Sequence, residues 1–209
     1  GYLDSDLRQY REATALPDEP TGVRRGVVNK LGNVQSTPSD SEASLDIQIM
    51  QSVSGNADTT FWVVDGWVYE WAQELFSMKT PPLVNSLSFG GEEASSCEVA
   101  SPNAEHCETL GMQNVSQYLE RCDIEFMKVG LRGISLLASS QDHGAPGFAN
   151  VDCSADAQTA GNATASGVLA LNPVYPASSP YITAVGATAL DKPQKLSQPQ
   201  SKLCNAMHC

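Results

Sequence analysis

Basic side chains are scarce in this sequence of 209 residues. Lysine and arginine together number 12, against 24 aspartates and glutamates, and the formal net charge is −12. No run of basic residues is available to contact the phosphates of a nucleic acid or the head groups of an anionic membrane. We therefore expect no nucleic-acid partner, and the excess of acids suits a protein that works in an acidic compartment.

Long apolar runs are also absent. No stretch of about 18 apolar residues or more occurs, so we expect no transmembrane span. The chain begins at Gly1 without the pattern of a signal peptide, and we expect any targeting segment to lie outside it. The length suits one large α/β domain or part of one.

Metal-binding patterns are missing as well. The six cysteines have no Cys-x-x-Cys spacing and the three histidines have no ligand spacing, so we predict no metal site within this chain. The even number of cysteines permits disulfides, and Cys97 with Cys107 is one candidate pair, but the spacing leaves the pairing open. Two sequons, at Asn114 and Asn162, predict N-glycosylation and favour a secretory route.

Hydrophobic periodicity predicts alternating helices and strands. We expect helices over residues 5–12, 41–52, 67–78 and 108–131, and strands over residues 59–64, 83–88, 134–139 and 181–186. Strand, helix and strand in this order predict a parallel sheet with helices on both faces. Sites in such sheets lie beyond the carboxyl ends of the strands, where the polar segments 88–91 and 140–144 follow two of them.

The helix over residues 41–52 carries two acids, Glu42 and Asp46, four residues apart. Residues at that spacing share one helix face, with their Cβ atoms about 5–6 Å apart. Asp40 or Ser41 can cap this helix, and we expect its apolar residues to be buried: Leu45, Ile47, Ile49 and Met50. By spacing alone, two solvated acids on an exposed face are the simpler interpretation.

Four segments in one order change that interpretation: EASLDIQ at 42–48, SFGGEE at 88–93, SQDHG at 140–144 and PASSPYITAVG at 176–186. Together they resemble the sedolisin family of serine-carboxyl peptidases, and most closely its tripeptidyl-peptidase and physarolisin branch. The resemblance extends over nearly the whole chain. It implies a subtilisin-like α/β fold, a parallel sheet flanked by helices in three layers, of which this chain is the N-terminal portion of the catalytic domain.

The resemblance also implies roles for named residues. Glu42 is expected to be the general base that faces a nucleophilic serine, with Asp46 orienting it and Asp142 in the oxyanion hole. The backbone of Ser88, Phe89 and Gly90 is expected to pair with an extended peptide substrate.

A carboxylate is a usable base near pH 4–5, and an aspartic acid donates a hydrogen bond only when it is protonated. The resemblance therefore implies a lysosomal, vacuolar or secreted acid-acting enzyme.

Other parts of the family pattern are expected outside this chain. The resemblance places the serine in a Gly-Thr-Ser motif and the calcium ligands further downstream, and it implies a propeptide upstream. Residues 1–209 are thus predicted to be a single partial catalytic domain. Its predicted partners are peptide or protein substrates and a second processed chain of the same precursor that carries the serine.

Three departures from the family pattern leave an alternative open. Gly91 stands where tripeptidyl peptidases carry an aspartate, and Gln141 and His143 replace a glycine and a serine beside Asp142. The alternative is a catalytically silent, secreted glycoprotein with a binding or structural role. A histidine-based hydrolase is disfavoured, since adjacent residues such as Asp142 and His143 point apart and no histidine lies at a plausible helix start.

Overall fold

This computed structural model describes residues 1–16, 23–25, 41–54, 57–62, 67–97, 106–142, 173–190 and 201–203 of the protein. The chain divides into two compact units, Gly1–Glu74 and Leu75–Cys209. Several predicted features lie outside the described residues, namely the cap at Asp40, the end of the first predicted strand, His143, the sequon at Asn162, and Cys153, Cys204 and Cys209.

The first unit contains two helices that pack against each other, α1 (Asp4–Thr14) and α2 (Ser41–Ser54). Both were predicted to within a few residues. Side-chain hydrogen bonds join them: Tyr10 Oη lies 3.0 Å from Ser52 Oγ, and Arg11 Nη2 donates to Gln51 Oε1 at 2.6 Å. The apolar core of this contact consists of Tyr2, Leu7, Ala43 and Ile47, and Phe61 packs against it.

The predicted buried face of α2 was wrong. Ile47 is buried as predicted, but its partners on that face are Ala43 and Gln51, at spacings of four residues. Residues two positions away from these lie on the other side of a helix of 3.6 residues per turn. The apolar residues at these positions, Leu45, Ile49 and Val53, are exposed, and so is Met50, the residue before Gln51.

A short parallel strand pair and a third helix complete the description of the first unit. Strand β1 (Val23–Arg25) pairs with β2 (Thr59–Phe61), and α3 (Val68–Ser77) contains the boundary between the units. The α3 helix begins where the Trp67 backbone N–H donates to Glu70 Oε2 at 3.1 Å. The β2 and α3 elements agree with the prediction, whereas β1 was not predicted.

The second unit is built on a parallel sheet of three strands in the order β3 (Val84–Leu87), β5 (Ser135–Ser139) and β7 (Thr183–Val185). All three were predicted as strands. Helix α5 (Val115–Leu131) precedes β5 and packs against it. The predicted α/β fold with a parallel sheet and flanking helices is therefore confirmed.

One long predicted helix is in fact two. The region contains α4 (His106–Thr109) and α5, separated by Gly111, whose φ of +71° is incompatible with a continuing right-handed helix. Asn114 then caps α5, because its side chain accepts a hydrogen bond from the Gln117 backbone N–H at 3.0 Å.

Two antiparallel pairs and one disulfide add to the second unit. The short strands β4 (Gly91–Glu92) and β6 (Val174–Tyr175) pair with each other, as do β8 (Thr188–Leu190) and β9 (Ser201–Leu203). A 3₁₀ helix (Glu93–Ser95) follows β4. The candidate Cys97–Cys107 disulfide is present, with its Cα atoms 5.3 Å apart.

Candidate functional site

Two polar segments meet at the carboxyl edge of the parallel sheet. Leu87 at the end of β3 is opposite Ala138 on β5, so the residues that follow each strand emerge at the same edge. The third strand ends there too, where Ser140 N–H donates to the Val185 carbonyl at 2.9 Å. The expectation that these two strand ends lie together is met.

The carbonyl oxygen of Ser88 is the meeting point of the two segments. It accepts a hydrogen bond from Ser139 Oγ at 3.3 Å and from Gln141 Nε2 at 3.3 Å. Gln141 Nε2 also donates to Ser139 Oγ at 3.0 Å. These side-chain contacts tie the end of β3 to the end of β5 beyond the last backbone bonds of the sheet.

Gly90 is closely surrounded by its neighbours. The position that a Cβ would occupy lies 2.9 Å from the Tyr175 carbonyl oxygen, 3.0 Å from Gln141 Nε2 and 3.1 Å from Val174 Cγ1. Any side chain would therefore displace backbone atoms, which is a physical reason for glycine at this position. The neighbouring Phe89 side chain is 58% exposed and so is accessible at this edge.

The segment that packs on Gly90 is itself anchored to the rest of the second unit. Tyr175 Oη and Ser179 Oγ donate to Asp123 Oδ1 on α5, at 3.0 and 2.6 Å. Ser178 Oγ donates to Glu93 Oε1 at 2.6 Å. Burial raises the pKa of Tyr175, and the Cys122 and Asp123 side chains raise it further. Sequence analysis missed this network, although the serines lie within the PASSPYITAVG segment it singled out.

Asp142 follows Gln141 at the same edge, and its side chain is exposed. It lies two residues beyond Ser140, which bonds to the end of β7, so its place at the carboxyl ends agrees with the sequence analysis.

The acid pair belongs to the first unit. Glu42 and Asp46 are both half-buried, one turn apart on α2, and each neighbours a residue of the core, Ala43 or Ile47. They are neither fully solvated nor sealed from water.

The described residues also include one sequon, at Asn114. Asn114 is exposed, and its Oδ1 caps α5, so the amide nitrogen that a glycan would use is not the atom that forms the cap. Among the described ranges no group of three metal-ligating side chains could hold an ion. In the same ranges no helix is long and apolar enough to cross a membrane.

Comparison with known proteins finds relatives over about nine tenths of the chain. Physarolisin of Physarum polycephalum is 32% identical over 189 residues, which is 90% of this chain and 29% of Physarolisin. Tripeptidyl-peptidase 1 of Homo sapiens is 30% identical over 205 residues, which is 92% of this chain and 29% of that protein. The chain belongs to the sedolisin family. No protein-family model matches the sequence.

The fold of this sedolisin agrees with a solved relative. Pseudomonas sedolisin, a serine-carboxyl proteinase solved in complex with two molecules of pseudo-iodotyrostatin, matches with a TM-score of 0.55 and 20% identity. The match covers 89% of this chain and 45% of the Pseudomonas protein. The chain thus spans about three tenths of the length of the curated relatives it matches.

Proposed function

We propose that this protein is an acid-acting serine-carboxyl peptidase in which Glu42 is the general base and Asp46 orients it. The observation that carries the proposal is the similarity to Physarolisin and Tripeptidyl-peptidase 1 over nine tenths of the chain. The half-buried positions of Glu42 and Asp46 on one face of α2 support it, because paired carboxylates can hold and release a proton together.

The proposed reaction is hydrolysis of a peptide bond through an acyl-enzyme. Glu42 accepts the proton of a serine hydroxyl supplied from outside this chain, and the serine oxygen attacks the scissile carbonyl carbon. The O–H of protonated Asp142 stabilises the oxyanion of the tetrahedral intermediate. Glu42 then gives its proton to the departing amine as the C–N bond breaks, and water releases the acyl group by the same steps.

The substrate is proposed to lie along Ser88, Phe89 and Gly90. An extended peptide gains affinity by pairing with the backbone of such a segment. The proposal is supported by the exposure of Phe89, which makes this segment accessible from solvent. Tripeptidyl exopeptidase and endopeptidase action are both included in the proposal. Peptides with free and with blocked amino termini distinguish them, since an exopeptidase cleaves only the former.

The remaining partners follow from the family. We place the protein in a lysosome, an acidic vacuole or the secreted fraction, with the serine on a second processed chain of the precursor. Calcium is proposed as a cofactor of the whole enzyme. Its ligands are proposed to lie outside this chain, since no group of three or more His, Cys, Asp or Glu side chains among the described residues could hold an ion.

The test compares the full-length protein with its Glu42→Gln variant in peptide hydrolysis at about pH 4. Loss of a general base is expected to lower kcat on the order of 10²–10⁴-fold. Glu12→Gln, an exposed acid on α1 of the same unit, is the matched control and should leave kcat unchanged. Equal rates for wild type and Glu42→Gln would contradict the proposed base.

A silent binding glycoprotein is the second candidate, favoured by the departures at Gly91 and Gln141. It predicts no hydrolysis by the wild type at any acidic pH, although an extended peptide still binds. Peptide binding measured by calorimetry beside the same assay separates the two candidates.

A further inference from the structure

The backbone of Gln141 has a left-handed conformation, which is uncommon for a residue other than glycine. Its φ is +63°, in the left-handed region that side chains with a Cβ disfavour. Among the described residues, the only other non-glycine with positive φ is Ala15, which is the C-cap of α1, a common place for this conformation. Gln141 follows β5 and caps none of the described helices, and the hydrogen bonds of its own side chain can offset the unfavourable backbone geometry.

The Gln141 side chain bonds to the segment that follows β3 and to Ser139 at the end of β5. The Gln141 amide nitrogen donates to the Ser88 carbonyl and to Ser139 Oγ, and Ser139 Oγ donates in turn to the same carbonyl. The nitrogen also lies 3.0 Å from the position that a Cβ of Gly90 would occupy. One amide group thus bonds to Ser88 at the start of segment 88–90 and fills the space beside Gly90 at its end.

We propose that Gln141 is a positioning residue for the substrate: its amide holds segment 88–90 in the conformation that pairs with an extended peptide. This inference rests on the proposed function, which assigns 88–90 to substrate binding. Because the amide acts on the binding segment rather than on reacting atoms, its loss is expected to raise KM more than it lowers kcat.

Two substitutions in the full-length protein test whether the Gln141 amide holds segment 88–90. This holding contact is called the clamp below, and the alternative is that Gln141 is merely tolerated in the loop. Gln141→Gly keeps the left-handed backbone without strain but removes the amide. Gln141→Glu retains a donor, the carboxyl O–H, only while it is protonated. An ionised carboxylate would instead face the Ser88 carbonyl, so burial and this contact should hold its pKa above the usual value of about 4.3.

The expected result is a pH-dependent rescue. Relative to wild type at the same pH, Gln141→Glu should have a KM within about twofold at pH 3 and a KM raised roughly tenfold at pH 6. Gln141→Gly should have a raised KM at both pH values. Gln113→Glu, which adds the same charge at an exposed site of this unit, is the matched control and should behave as wild type. A wild-type KM for Gln141→Gly, or a Gln141→Glu profile that follows Gln113→Glu, would overturn the inference.

A second measurement does not need activity. For Gln141→Glu the folded state favours the protonated acid, so the stabilising contact is present at low pH and is lost as pH rises through the carboxyl pKa. Its Tm, relative to Gln113→Glu, should therefore fall by several degrees between pH 3 and pH 6. If no variant hydrolyses peptides but this Tm difference appears, the proposed function fails and the clamp stands. If peptides are cleaved but neither KM nor Tm changes, the clamp fails alone.

Discussion

The acid pair on α2 and the carboxyl edge of the β3–β5–β7 sheet are assembled in different ways. Glu42 and Asp46 lie one turn apart on a single helix, so their separation follows from helix geometry alone. The edge brings together Ser88, Gln141 and Tyr175, which are far apart in sequence, through hydrogen bonds and close packing. A local pair tolerates change elsewhere in the fold, whereas an assembled edge depends on every segment that contributes to it.

The largest effect, on kcat, is expected at Asp142. Its substitution tests whether the sheet edge takes part in the chemistry, as we propose for the acid pair on α2. Asp142→Ala removes the proposed oxyanion donor and should lower kcat on the order of 10²–10³-fold. Asp142→Asn keeps a hydrogen-bond donor, so it should retain more activity than Asp142→Ala. The measurement is kcat against pH for both variants. Wild-type kcat in Asp142→Ala would remove this residue from the mechanism.

The next effect addresses packing at the edge. Gly90→Ala would put a methyl group 2.9 Å from the Tyr175 carbonyl oxygen, so β6 or the 88–90 segment must shift. We expect a loss of about 2 kcal/mol in the free energy of unfolding, measured by urea denaturation. Gly130→Ala is the control, since a Cβ there meets no atom within 4 Å. Equal stability of the two variants would show that the edge is loosely packed.

A smaller effect is expected from the network that supports the edge. Tyr175→Phe removes the hydrogen bond to Asp123 and should cost about 1.5 kcal/mol of stability. The raised pKa of Tyr175 gives a second readout. Its neutral form is favoured in the folded state, so the stability is present below the unfolded pKa of about 10 and is lost as pH rises above that value. Tm should fall less steeply above pH 10 in Tyr175→Phe than in wild type, and parallel curves would contradict this.

The smallest effect is expected at a local feature, the Asn114 cap of α5, which depends only on neighbouring residues. Asn114→Ala removes the cap of α5 and should cost about 1 kcal/mol, whereas Asn114→Asp keeps a capping oxygen and should cost little. Both variants abolish the sequon. A mass decrease in both, measured on protein from a secretory host, would show that Asn114 is glycosylated, and an unchanged mass would reject that prediction.

The two wrong predictions also divide into a local one, at the break between α4 and α5, and one that depends on tertiary packing, on α2. The 108–131 prediction joined two helices because apolar spacing continues across the break, while the signals that end one helix and begin the next, Gly111 and Asn114, are local and were present. The buried face of α2 was a different kind of error. Leu45 and Ile49 are as apolar as Ile47, and only the positions of α1 and β2 decide which of them is covered.

The longer helices, the strands β2, β3, β5 and β7, the family and the one-turn spacing of Glu42 and Asp46 could be predicted from the sequence. Periodicity and motif order are properties of neighbouring residues, which is why they are readable there. Tertiary structure alone decided that the Gln141 amide holds the Ser88 carbonyl and that Gly90 lies against Tyr175. Such contacts join residues more than fifty positions apart, and no local propensity encodes which strand ends become neighbours in a sheet.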